Sequence, residues 1–151
     1  MRLVIQRVKN AAVNVDGKTV GSIGMGLFVL VGVKIGDDKA DADFLADKLV
    51  NLRVFSDEQG KMNLSALDVK GEILLVSNFT LYGNAQKGRR PDFVMSEKFE
   101  PSKALFDYFV TAVGAKGVTV ATGEFGADMK IPCECDGPVT IIIDSELSVK
   151  K

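Results

Sequence analysis

From Gly26 to Val33 the chain reads GLFVLVGV, with no charged, hydroxyl or amide side chain to break the run. A strand with one wet face alternates apolar and polar residues, because successive side chains point to opposite sides. An unbroken apolar run of this length belongs to a strand covered on both faces. The fold must therefore place material on both sides of a sheet.

Two segments have the helical period needed to supply such cover. IGDDKADADFLADKLVNLRVF opens with acidic residues, which suit the positive end of a helix dipole. Phe44, Leu45, Lys48, Leu49 and Leu52 then follow helical spacing, which predicts an amphipathic helix from about 39 to about 51. PSKALFDYFVTAVGAKG predicts a second helix, with Pro101 near its first turn and Gly114 or Gly117 near its end. Its stripe of Leu105, Phe106, Phe109, Val110 and Val113 reads as core.

The rest is mostly strand. RLVIQRV (2–8) and AVNV (12–15) read as strands, and Asp16-Gly17 forms a two-residue hairpin turn returning into TVGSI. Arg53 to Phe55 fits a short strand, SDEQGKMN a turn, and LSALDVKG a loop or short helix. EILLVSNFTLY (72–82) predicts another strand, and VTVATG, DMKIPCEC and PVTIIID three closing ones. Strands outnumber helices, so the expectation is a single mixed α/β domain over residues 1–151.

Charge narrows the function. With a net charge of −1, general basic attraction to nucleic acid is not indicated, and any RNA contact needs a local basic patch. Met1 leads directly into a strand rather than a signal-like segment, and the apolar runs are too short to span a bilayer. A cytoplasmic protein without membrane contact is expected. There is no histidine. Ser-His and Cys-His dyads are thereby excluded, and chemistry must use hydroxyls, carboxylates, lysines, backbone groups or the substrate itself. The two cysteines, Cys133 and Cys135, share one side of a strand and read as small apolar strand residues, since no further Cys or His completes a zinc site.

One stretch departs from core composition: VSNFTLYGNAQKGRRPDF, residues 76–93. In a strand, Asn78 and Thr80 would share one face and Ser77 and Phe79 the other. Such groups either satisfy neighbouring backbone or line a pocket for a polar ligand, and the residues alone leave both readings open. The loop that follows carries Lys87, Arg89 and Arg90, cations suited to phosphates. Asp136-Gly137-Pro138 is a turn signal, with Pro138 expected to start the last strand because it has no N–H for the ladder.

SNFTLYG together with DGPVT resembles the two signature motifs of the D-aminoacyl-tRNA deacylase family. RLVIQRVKNAAVNVDG, GLFVLVGV, RVFSDEQGKMN, KGRRPDF and DMKIPCECDGPVT fall in that family's order, over nearly the whole chain. The resemblance implies a strand-rich α/β fold with curved sheets and two main helices, assembled as a homodimer. It implies hydrolysis of the ester joining a D-amino acid, or glycine, to the terminal adenosine of tRNA, without an added cofactor or metal. It also implies which residues act. Ser77, Asn78, Phe79 and Thr80 form the catalytic motif of one subunit. Gly137 and Pro138, joined by a cis peptide, reach into that site from the other and reject L-aminoacyl esters. By the same resemblance Arg7 is placed beside the Gly-Pro turn, a surface or structural ion pair being the other reading, and Lys87, Arg89, Arg90, Pro91 and Phe93 belong to the substrate-binding loop.

One departure stands out. The family normally has glutamine where this chain has Asn78, an amide one methylene shorter. Its hydrogen bonds would fall short unless the backbone shifts or water bridges the gap. An editing deacylase of altered range, or a tRNA-binding module with weak catalysis, is the alternative this residue leaves open. Backbone N–H groups near Phe79 and Thr80 are the expected oxyanion donors. Thr80 lacks an evident base, which favours a positioning role over a covalent one.

Overall fold

The computed structural model describes residues 1–147. β1 (Arg2–Val15) is the spine of a six-stranded sheet. β2 (Lys18–Ile23) and β3 (Gly26–Gly32) both pair with it antiparallel. β3 then runs parallel to β6 (Glu72–Ser77), and β6 parallel to β7 (Val120–Thr122). β8 (Cys133–Asp144) returns antiparallel along the free side of β1. The two parallel steps are bridged by α1 (Lys39–Asn51) and α3 (Phe99–Gly114). Between α1 and β6 lie a small hairpin of β4 (Phe55–Ser56) with β5 (Met62–Leu64), and the short α2 (Ala66–Val69).

The expectation from GLFVLVGV holds. Leu27, Val29 and Val31 pack with Leu45 and Leu49 of α1 and Phe106, Phe109 and Val113 of α3. Phe28 belongs to a second cluster with Val8, Val13, Leu74 and Val76, against which Leu30, Met129 and Ile131 rest. Burying each large apolar side chain contributes about 1.5–3 kcal/mol. α1 starts where Asp38 accepts hydrogen bonds from the N–H groups of Ala40 and Asp41, while the Asp41 carboxylate reaches back to the Asp38 N–H. These satisfy donors that the first helical turn leaves open.

Three strand expectations change. RLVIQRV and AVNV are one continuous strand of 14 residues. Register shifts against β2 and β8 bend it instead of breaking it. EILLVSNFTLY ends as a strand at Ser77, and Phe79–Tyr82 form a 3-10 turn. β7 pairs only with Ile73–Leu75, so the ladder offers little beyond that point. Of DMKIPCEC only Cys133–Cys135 is strand, and it merges with PVTIIID into β8, which runs through Pro138, while Lys130 makes an isolated bridge to Asn14. The ladder pairs Gln6 with Thr140 and Val8 with Cys135, so residues 136–139 bulge opposite Arg7. A proline without an N–H is tolerated at such a bulge.

β3 and β6 approach closely where Gly26 lies opposite Glu72. A Cβ at Gly26 would overlap the Glu72 carbonyl oxygen. Gly26→Ala is therefore expected to cost about 1–3 kcal/mol or more by forcing the parallel strands apart. Urea denaturation measures this, and an unchanged midpoint would show that the ladder accommodates a methyl.

Candidate active site

The parallel strands β3 and β6 end side by side, and open sheets place binding crevices at such ends. The N–H of Asn78 donates to Val31 O at 2.8 Å, a last rung beyond the end of β6. The chain then turns. Asn78 has extended backbone and caps the 3-10 turn, its Oδ1 accepting the Thr80 N–H at 3.1 Å. The Thr80 hydroxyl donates to the same oxygen. Asn, like Asp and Ser, competes with the ladder by bonding its own backbone two residues on, which is the local reason the strand stops here.

Packing holds the turn in place. Tyr82 is buried, with the Arg2 guanidinium 4.7 Å from its ring centre, and Arg2 Nη1 donates to Leu81 O at 3.0 Å. Arg2 is itself paired with Asp144 at 2.9 Å. The Ser96 hydroxyl donates to Phe79 O at 2.8 Å. Phe93 meets Phe79 edge-on at 5.1 Å, so the end of the basic loop rests on the turn.

Ser77, Asn78 and Phe79 line a cavity of about 520 Å³. Leu30 and Val76 of β3 and β6, Glu97 just before α3, Phe99 and Ser102 in its first turns, and residues between 125 and 131 complete the lining. Thr80 is exposed and is not among the lining residues. Its hydroxyl is committed to a carboxamide oxygen, which is no general base, so the geometry gives Thr80 no activation as a nucleophile. The two expected oxyanion donors also separate. The Thr80 N–H is occupied by Asn78, whereas the Phe79 N–H meets no protein acceptor among the described residues.

Gly137 and Pro138 do not line this cavity either. They sit exposed in the β8 bulge, joined by a cis peptide. Arg7 holds the bulge from beneath. Its Nε donates to Asp136 O at 3.1 Å and its Nη1 to Val54 O at 2.7 Å, with the side chain only 13% exposed. Gly137 has φ +134, and an added Cβ would lie 2.8 Å from the Val139 nitrogen and 3.3 Å from Arg7 Nη2. Lys87, Arg89, Arg90 and Pro91 are exposed on a loop closed by paired backbone bonds between Asn84 and Asp92. None of these cations forms an ion pair among the described residues.

Cys133 and Cys135 are strand residues as expected, but exposed, with sulfurs 3.8 Å apart. Partial burial and then the neighbouring Cys135 raise the Cys133 thiol above its ordinary range, which disfavours a reactive thiolate. Glu97, Ser102 and residues 125–131 were not singled out as site residues. Ser102 read as part of the second helix and residues 128–131 as part of a closing strand, and it is the fold that brings them to the end of β6.

Asn78→Ala should remove the cap and cost about 1 kcal/mol, whereas Asn78→Asp keeps an acceptor and should cost less. Urea denaturation of both variants at neutral pH checks this. Equal losses would mean that the amide acts elsewhere than on its own turn.

Comparison with known proteins finds relatives over nearly the whole chain. A D-aminoacyl-tRNA deacylase of Syntrophomonas wolfei is 58% identical over 146 residues, covering 97% of this chain and 98% of its own. One from Thermosipho africanus is 55% identical with the same coverage. Among solved structures, a c-Myc DNA Unwinding Element Binding Protein superposes with a TM-score of 0.91 at 37% identity, covering 95% of this chain and 98% of that one. A probable eukaryotic D-amino acid tRNA deacylase shares the fold at TM-score 0.83 and 19% identity, covering 94% and 97%. The family described as D-Tyr-tRNA(Tyr) deacylase matches residues 4–144, and the chain belongs to it.

Proposed function

We propose that this protein hydrolyses the ester bond of D-aminoacyl-tRNA, and of glycyl-tRNA, releasing the free amino acid and tRNA. The observation that carries the reading is the cavity wall of Ser77, Asn78 and Phe79, with the Phe79 N–H directed to no protein acceptor. Family membership and relatives above 50% identity bearing the deacylase name support it.

An aminoacyl ester is already activated. Its hydrolysis needs a placed water, a donor for the developing oxyanion and a route for one proton. The Phe79 N–H supplies the donor, worth roughly 3–4 kcal/mol when well aimed. The Asn78 carboxamide fixes the turn that presents it. The ribose hydroxyl beside the ester carries the proton, which suits a chain without histidine. Neither metal nor cofactor enters this scheme. Lys87, Arg89 and Arg90, on the loop anchored through Phe93, meet the acceptor-end phosphates.

Chirality is read by exclusion. Gly137 and Pro138 of the partner subunit close the mouth of the cavity, and their main chain fills the direction an L side chain needs. Glycine has no side chain to collide, and D side chains point elsewhere. Pro138 and Ile142 on one protomer, and Phe79 and Phe99 at the cavity, are exposed in a single chain and suit burial in such a homodimer. No helix among the described residues is long and apolar enough to cross a membrane, and the substrate places the work in the cytoplasm.

Purified protein given D-tyrosyl-, L-tyrosyl- and glycyl-tRNA should clear the first and third and spare the second. Gly137→Ala, strained at its φ and crowded by Val139, should lose rate or D-over-L preference. Equal loss of all three esters would indicate an unselective esterase, and binding without hydrolysis a tRNA-binding module. Full rate and preference in the alanine variant would put the barrier elsewhere.

A further inference from the structure

Free cysteine is among the most buried residue types. Cys133 and Cys135 are both exposed on β8, with their sulfurs 3.8 Å apart. Their reading as small apolar strand residues therefore leaves this placement unexplained. A metal centre is not favoured. Among the described residues no three Cys, His, Asp or Glu side chains gather, and Glu134, between the two, is bonded to Asn10 at 3.0 Å. The strand is irregular here. Cys133 faces Ala11 and Cys135 faces Val8, so β1 supplies one more residue than β8 across the pair. The chain just before the pair is well anchored. Ala12 N–H donates to Pro132 O at 3.0 Å, and Lys130 exchanges two backbone bonds with Asn14. The chain just after it is the bulge of residues 136–139, which lacks ladder pairing and is held through Asp136 O by Arg7 Nε at 3.1 Å.

We propose that Cys133 and Cys135 are a peroxide-sensitive dithiol, and that their disulfide shifts the Gly137–Pro138 bulge. The Cys135 thiolate attacks one peroxide oxygen, the O–O bond breaks, and the released hydroxide takes up a proton to leave as water. The Cys133 sulfur then attacks the resulting sulfenic acid. Its thiol proton goes to the departing hydroxide, and a second water leaves as the S–S bond forms. Two electrons pass from the sulfurs to the peroxide. Partial burial and the neighbouring Cys135 hold the Cys133 thiol up, so it keeps its proton until this second step. Closure brings the sulfurs from 3.8 Å to about 2.05 Å. Two residues of extended strand span about 6.6 Å, near the upper end of the Cα separations that a disulfide tolerates, so closure shortens β8 locally. The anchored side resists, and the unpaired bulge takes up the displacement. The effect on rate rests on the deacylase reading above, in which this main chain is the chiral barrier; the disulfide itself does not.

The test treats the intact, reduced, assembled protein with hydrogen peroxide and then with dithiothreitol. Mass spectrometry should find each oxidised chain lighter by two hydrogens, and a non-reducing gel should show no cross-linked subunits. Hydrolysis of D-tyrosyl-tRNA, or its preference over the L ester, should fall by about tenfold or more. Dithiothreitol should reverse both the mass change and the loss. Cys133→Ser and Cys135→Ser should each keep the rate of the reduced protein and lose the reversible response. Methionine oxidation, which dithiothreitol does not undo, would persist in both variants and is separated in this way. Thiols that survive peroxide unchanged, or that join one subunit to another, overturn the dithiol. A disulfide that alters neither rate nor preference overturns its link to the bulge. A disulfide that forms in a protein whose reduced state hydrolyses none of the esters supports the dithiol and removes the deacylase reading instead.

Discussion

The parallel contact between β3 and β6 is the constraint on which the site depends. Its rungs run from Gly26 opposite Glu72 to Val31 opposite Ser77, and the Asn78 N–H adds a last bond to Val31. The strands are buried between two apolar clusters, so they cannot slide without exposing one. The chain therefore leaves the sheet at a fixed height, and the Asn78 cap turns it at once. A backbone donor is presented from rigid scaffold, whereas a long loop would need ordering by substrate.

The second fixed part is the β8 bulge. Arg7 ties its carbonyl at Asp136 to Val54 O, joining the edge strand to the segment after α1. A guanidinium with several directed donors suits this role better than an ammonium. The bulge and the cavity are separate features of one protomer, and the proposed homodimer is what brings them together. In that arrangement both the oxyanion donor and the chiral barrier are main chain. This accounts for an active site built without histidine, and it lets many D side chains pass unrecognised.

Much of the framework was legible in the sequence because local rules and burial agreed. GLFVLVGV required cover on two faces, Asp16-Gly17 turned the first hairpin with positive φ at both residues, and helix α1 spans the predicted 39–51. The misses have a common cause. The end of β6 depends on how far β7 extends beside it, and β8 passes through Pro138 because β1 leaves a bulge there. Neither partner is visible in the segment itself. The motif residues were proposed through family resemblance, but the resemblance did not show that Asn78 occupies the Thr80 N–H. That Glu97 lines the cavity was not legible, because a single glutamate before a helix reads as solvated surface.

The central claim is that a working site joins the cavity of one protomer to the Gly137–Pro138 main chain of the other. Complementation between two inactive proteins tests it most directly. One carries Phe79→Pro, which lacks the donor N–H, the other a bulkier substitution of Gly137 such as Gly137→Val, each first shown to be inactive alone, and they are mixed under conditions that exchange subunits. Random reassociation should restore about a quarter of wild-type hydrolysis of D-tyrosyl-tRNA, because one composite site in four is intact. Verified exchange with no recovery would contradict the account.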